Sequence, residues 1–212
     1  MIRTSASGPS IVIFGGGAIG AFIGASLVHS GGNVTIVDPW FQNVHNMKTG
    51  GVRVETPDEE LVVPVSALHL DELDRLPRPI DILIVAVKSY DTEWAVRLMR
   101  QFISTSTTII SAQNGMNEEL LQQLVSPTQI VGCVITMAAE MFVPALTRRT
   151  TPTSSSACVL GELDGKDSPR VQSIARLLKP MGDVRVTRNI WESCGRSSAS
   201  TRCRTPPVAS QE

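Results

Sequence analysis

The apolar residues of this chain recur in short unbroken runs, most of them closed by glycine or a polar turn. Ile11-Val12-Ile13-Phe14 is the first run, bounded by Gly15-Gly16-Gly17. Four apolar residues in a row beside turn residues predict a strand covered on both faces, as in a parallel sheet. Ala18, Ile19, Phe22, Ile23 and Leu27 follow at helical spacing until Gly31-Gly32 stops the helix. Val34-Thr35-Ile36-Val37 is a second buried strand, ending at Asp38. Strand, glycine turn, helix and strand within about 30 residues make a βαβ unit, whose crossover is right-handed.

The next stretch is less regular. His45 to Lys48 predicts a short helix, while residues 51–55 and 61–65 read as strands around a Thr56-Pro57-Asp58 turn. Residues 81–87, Asp-Ile-Leu-Ile-Val-Ala-Val, form the most apolar strand in the chain. Asp91 is the expected N-cap of a helix presenting Trp94, Ala95, Leu98, Met99 and Phe102 on one face. Strands over 108–112 and 130–137 flank a helix over 118–125. The Thr- and Ser-rich stretch 147–156 predicts a loop or a twisted hairpin turn. A strand at 158–160, an amphipathic helix over 168–179 and a strand at 184–186 complete the set. Repeated strand–helix alternation predicts an α/β fold, a Rossmann-type doubly wound and mostly parallel sheet.

Charge and composition narrow the functional classes. Nineteen basic and 20 acidic side chains give a net charge of −1. That balance lacks the electrostatic footprint of a nucleic-acid binder. No apolar run approaches the ~18 residues needed to cross a bilayer, so no membrane partner is expected. Met1 to Ser10 holds one Arg and no apolar core, which predicts no secretory leader. Cys133, Cys158, Cys194 and Cys203 have neither CxxC nor zinc spacing, so they read as isolated thiols of a cytoplasmic protein. No metal site is expected. His29, His45 and His69 show no catalytic or ligating pattern and read as structural or solvent-facing.

The chemistry-bearing signal is Gly15-x-Gly17-x-x-Gly20, set between a buried strand and a helix. In that setting the first glycine permits a tight turn, the second lets a pyrophosphate approach the backbone, and the third lets helix and strand pack closely. The backbone N–H groups of Ala18 and Ile19, at the positive end of the helix dipole, then face the phosphates. Asp38 lies 18 residues beyond Gly20. A carboxylate there accepts hydrogen bonds from ribose hydroxyls and repels a 2′-phosphate, favouring NAD over NADP; the plainer alternative is a turn cap before Pro39. Lys88 follows the 81–87 strand directly, and Asn114 follows the 108–112 strand. Both sit where doubly wound folds bind ligands, against the alternatives of a solvated lysine and an Asn-Gly turn.

The ordered set GGGAIG (15–20), VKSYDT (87–92), QNGMNEEL (113–120), LGELDG (160–165) and NIWES (189–193) resembles the ketopantoate reductases, from about Ile11 to Trp191. The resemblance implies NADPH-dependent reduction of 2-dehydropantoate to pantoate, a step towards coenzyme A. It places Gly15, Gly17 and Gly20 on the cofactor, and Lys88 and Asn114 at cofactor and substrate. It also implies a basic residue near the second strand's end, where this chain has Asp38-Pro39-Trp40. The cofactor expected is therefore NADP by resemblance, with NAD admitted by Asp38. The partners expected are a dinucleotide and a small 2-keto acid. A stand-alone nucleotide-binding redox sensor, or a reductase of another 2-keto acid, is the alternative.

The resemblance further implies a helical second domain that opens with a W-x-K-L stretch carrying the proton-donating lysine. Here the composition changes instead. Ser193 to Glu212 hold five Ser, three Arg and two adjacent Pro, with Val208 the sole large aliphatic, and no lysine follows Lys179. The expectation is a Rossmann domain over 1–190 and a disordered tail over 191–212, with the helical domain missing. Its absence predicts an exposed apolar patch near Val184–Trp191. A shift of reading frame at Ser193 is compatible with the change, since permitted codons then allow Val-Trp-Ala-Lys-Leu-Ser-Ile-Asn-Ala-Val-Ser-Asn-Pro; a natural short paralogue is the alternative. The DNA across the Ser193 codon checks this: an alternate frame encoding that lysine is expected, and a frame without it refutes the shift.

Overall fold

The structure, a computed structural model, describes residues 8–115 and 117–193. The chain opens with β1 (Ser10–Phe14), α1 (Ala18–His29), β2 (Asn33–Val37) and α2 (Phe41–Gly50). A hairpin of β3 (Val52–Glu55) and β4 (Glu60–Val63) follows, then β5 (Ser66–Leu68), β6 (Ile82–Val85) and α3 (Thr92–Met99). Next come β7 (Thr108–Ala112), α4 (Glu118–Leu124), β8 (Ile130–Ile135), β9 (Ala139–Val143) and β10 (Leu146–Arg149). β11 (Ser156–Glu162), α5 (Pro169–Leu178) and β12 (Asp183–Val186) complete the described elements.

Eight strands form one sheet in the order β12-β11-β8-β7-β6-β1-β2-β5. From β5 across to β8 all neighbours are parallel, whereas β11 runs antiparallel to β8 and pairs in parallel with β12. The fold is the expected Rossmann-like, mostly parallel sheet. The chain leaves β1 towards β2 on one side and reaches β6 on the other, which makes the carboxyl end of β1 the switch point.

The apolar runs are unbroken because the sheet is covered on both faces. Along β1, Ile11 and Ile13 point into a core with Phe22, Ile23 and Leu27 of α1, whereas Val12 and Phe14 point into one with Ala95, Val96, Met99 and Leu121 of α3 and α4. α1 is buried almost all round, since a second sheet covers its outer side. That sheet has the order β4-β3-β10-β9, with β10 parallel to β3 and antiparallel to β9.

Several local expectations change. The helix read at 45–48 extends over Phe41–Gly50, and the strand read to Met137 ends at Ile135. Asp91 occupies the N-cap position of α3 without any side-chain cap hydrogen bond. The stretch expected as a loop from Thr147 begins as strand β10, because its partner β3 lies about ninety residues earlier and leaves no local mark. Polar side chains fill the inward positions of β10: Thr147 is fully buried and Arg149 is 2% exposed. The Arg149 guanidinium donates to the carbonyls of Met181 (2.7 Å), Pro152 (2.8 Å), Thr151 (3.1 Å) and Ser155 (3.2 Å), and lies 5.8 Å from the Phe22 ring centroid. Burial pulls its pKa below the ordinary arginine value. Backbone dipoles, with no carboxylate in hydrogen-bond contact, hold this cation and tie the 150–155 loop to the end of α5.

The exposed patch expected near Val184–Trp191 does not form. Ile190 is fully buried in the slot between Gly132 and Gly161, paired residues of β8 and β11, and Trp191 donates to Leu163 O at 3.0 Å. Residues 190–193 are helical, and the remainder of the expected tail, 194–212, lies outside the described residues. Replacing Arg149 by Met leaves four carbonyls, that of Met181 buried, without their guanidinium donor. The expected loss is about 3 kcal/mol of unfolding free energy, with Arg149→Lys intermediate, as read by chemical denaturation.

Candidate functional site

Register brings the site loops together. Phe14 pairs with Val37 and with Val85, and Val85 pairs with Ser111, so the loops after β1, β2, β6 and β7 leave one edge of the sheet. They surround a cleft of about 510 Å³ whose lining includes Gly15, Gly17, Ala18, Ile19, Asp38, Lys88 and Asn114. Every residue singled out from the sequence reaches it except Gly20, which lies beneath the turn.

The three motif glycines are required for different reasons. Gly15 has φ +106°, a backbone that L side chains avoid, and a Cβ there meets the Ala86 carbonyl carbon at 2.8 Å. A Cβ on Gly20 falls 1.8 Å from Gly15 O. The packing of α1 on β1 and β6 therefore accounts for both. Gly17 is different: a Cβ there meets nothing within 4 Å. It is the N-cap of α1, offers no capping side chain, and no acidic residue follows in the first turn. Helix geometry leaves the first-turn N–H groups without intrahelical acceptors, at the positive end of the dipole. The open space and the N–H groups together form a cradle suited to an anion.

Asp38 is 7% exposed and serves the turn as well as the cleft. Its carboxylate accepts from Gly16 N at 2.6 Å and from Trp40 N at 2.9 Å. Asn43 of α2 holds the next peptide by donating to Gly16 O at 2.9 Å, while its carbonyl accepts from Ala145 N at 2.8 Å. The glycine turn is thus held by side chains from the loop after β2, from α2, and through them from the second sheet.

On the other half of the cleft, Lys88 is the cationic side chain among the lining residues. The residue that shapes this half is Gln113, which the sequence reading passed over. Its amide nitrogen donates to Val87 O at 2.7 Å and Thr92 Oγ1 at 2.8 Å, joining the ends of β6 and β7. Asn114 O accepts from Ser89 Oγ at 2.9 Å and Asn117 Nδ2 at 3.0 Å, which fixes the loop carrying Asn114. The sequence signal for Gln113 was its place between a buried strand and an Asn-Gly pair. His29 and His45 are exposed, and His69 lies behind the Asp38 loop. No group of three or more metal-ligating side chains occurs among the described residues. No helix among them is long and apolar enough to cross a membrane.

Fold and site define a Rossmann-type α/β domain with its glycine turn at the sheet's switch point. The chain belongs to the ketopantoate reductase PanE/ApbA family, whose model matches residues 11–165. It is 28% identical over 185 residues to a 2-dehydropantoate 2-reductase of Aquifex aeolicus, covering 85% of this chain and 56% of that relative. It is also similar to the solved 2-dehydropantoate 2-reductase from Geobacter metallireducens, with a TM-score of 0.75, 25% identity, and coverage of 84% of this chain and 58% of that one. The fold matches D-mandelate dehydrogenase, solved with NADH and anilino(oxo)acetate, at a TM-score of 0.78 and 22% identity, covering 88% of this chain and 59% of that one. The chain thus spans less than two thirds of the length of these relatives.

The glycines predict a clean separation of effects. Gly20→Ala is expected to cost about 3 kcal/mol or more, because helix and strand must part. Gly17→Ala is expected to cost about 1 kcal/mol or less, because a Cβ there meets nothing and alanine is only the poorer N-cap. Thermal and chemical unfolding of the two variants checks this.

Proposed function

We propose that this chain binds a nicotinamide dinucleotide across the cleft and forms the cofactor-holding half of a 2-keto acid reductase, with reduction of 2-dehydropantoate to pantoate as the ancestral reaction. The observation that carries this reading is Gly17, a glycine that the chain's own packing leaves unexplained and a pyrophosphate explains. The first-turn N–H groups of α1 take the diphosphate. Lone pairs of Asp38 not used by Gly16 and Trp40 take ribose hydroxyls. Lys88 and Asn114 stand at the nicotinamide half, where an ammonium and an amide suit the carboxylate and carbonyl of a 2-keto acid. When bound, the cofactor supplies the hydride.

Asp38 also supports NADH over NADPH. A 2′-phosphate would lie beside a carboxylate that already serves the turn, with no basic side chain at that end of the cleft lining. Like charges about 4 Å apart cost between ~1 and ~4 kcal/mol from water to a protein surface, so a preference of about fivefold or more is expected. Turnover is a separate matter. The protonating lysine that the family resemblance implies has no counterpart among residues 180–212. General acid catalysis is worth about 10²–10⁴-fold, so the 212-residue chain is expected to bind cofactor and turn over at least ~100-fold more slowly than a protein carrying that lysine.

Titrating the chain with NADH and NADPH, followed by tryptophan-to-dihydronicotinamide energy transfer, tests the binding reading. NADH is expected to bind at least ~5-fold more tightly, and Asp38→Asn to narrow the ratio. Equal affinities for the wild type overturn the preference, and initial rates of 2-dehydropantoate reduction matching a lysine-bearing relative overturn the low turnover.

A further inference from the structure

We infer that His69 is a positioning residue whose protonated ring clamps the Asp38-Pro39-Trp40 loop, so that dinucleotide affinity falls as pH rises through its titration. The inference rests on the cofactor reading above and concerns a residue outside the cleft lining. His69 follows β5 and lies behind the loop that carries Asp38. Its Nδ1 is 2.6 Å from Asp71 Oδ1 and its Nε2 is 3.1 Å from Pro39 O. Both partners are acceptors only. A neutral imidazole has one N–H and one bare nitrogen, so it can satisfy one of them and must turn a lone pair on the other. Only the imidazolium makes both bonds.

The surroundings set both the position and the charge of the ring. His69 N donates to Glu72 Oε2 at 3.1 Å, and Asp38 N donates to Leu68 O at 3.2 Å, so the backbone on each side of the clamp is tied. The Phe41 ring meets His69 edge-on at 5.9 Å and stacks on His45 at 6.3 Å. The titratable groups around this pocket are Asp71, Glu72, Asp74 and Arg75 from the turn after β5, and His45 and Lys48 from α2. Asp38 lies one residue from the clamped carbonyl. Lys48 and Arg75 are both paired with Glu72, which leaves the Asp71 carboxylate to face His69. The hydrogen bond to Asp71 chiefly, and that to Pro39, hold the His69 pKa above its ordinary value, while partial burial opposes them. The same bond holds the Asp71 carboxyl below its ordinary value.

The direction follows from these shifts. A histidine whose folded pKa is raised contributes its bonds fully below the ordinary value of about 6.5 and loses them as pH rises through the raised value. The shorter bond, to Asp71, keeps the remaining proton. Deprotonation therefore releases Pro39, and with it the loop on which Asp38 holds Gly16 and meets the ribose.

The test is the NADH dissociation constant of the full 212-residue chain from pH 5.5 to 9, measured by energy transfer. It is run alongside a nuclear magnetic resonance titration of the His69 ring. Wild type is expected to weaken about three- to tenfold across the His69 midpoint, the worth of one hydrogen bond. His69→Gln keeps one donor and cannot titrate, so its profile is expected to be flat. Asp71→Asn keeps the ring but removes the carboxylate, so the affinity and resonance midpoints are expected to move together to lower pH. His45→Asn is expected to leave the wild-type profile unchanged. A His69→Gln profile that follows wild type, or a midpoint that Asp71→Asn leaves in place, overturns the inference while the cofactor reading stands. Absence of NADH binding at every pH overturns both.

Discussion

The close approach of α1 to β1 is the constraint on which the rest of this structure depends. With only 1.8 Å between Gly15 O and the place of a Gly20 Cβ, the helix can start immediately beyond the strand only because no side chain stands there. That contact aims the α1 amino end at the switch point of the sheet. It also lets α1 sink between two sheets, buried against Ile36 on one side and capped by β10 and β3 on the other. The anion cradle and the core are consequences of the same approach.

Buried polar side chains then do the positioning that apolar packing cannot do. Hydrophobic contact is non-directional, so it sets how closely elements pack but not where a loop carbonyl or amide points. Asp38 and Asn43 hold the two peptides that meet at Gly16, Gln113 joins the ends of β6 and β7, and Arg149 gathers carbonyls from two loops around one guanidinium. Each of these side chains is deeply buried and bonded to backbone. Removing one leaves a desolvated partner behind, which costs more than the bond contributed.

The legible part of the fold was the part whose signals are local. A four-residue apolar run with a glycine turn, the helical spacing after it, and polar residues at strand ends each fall within a few positions in the chain, so β1, α1, β2, β6 and β7 were readable nearly to their ends. The same holds for Lys88 and Asn114, whose candidacy came from standing just past a strand. Of the second sheet only the β3–β4 hairpin was readable; β10 was not, because it pairs with β3 across about ninety residues and its inward positions are Thr147 and Arg149 rather than apolar residues. Ile190 was misread for a related reason. Its slot exists only because Gly132 and Gly161 face each other on strands brought together antiparallel.

By itself the sequence determined the class of fold, the glycine turn at the end of the first strand, and the polar residues that stand at the strand ends along the cleft. Those depend on periodicity, on backbone conformations open only to glycine, and on charge type, all of which are properties of residues and their near neighbours. Tertiary structure alone decided what each of those residues is bonded to. It divided the motif glycines into two that packing demands and one that it leaves open. It made Asp38 a clamp on Gly16 as well as a face of the cleft. It also set an acceptor on each side of the His69 ring, from Pro39 and Asp71. Direction and desolvation are the physical reason, since both exist only once distant segments share the same space.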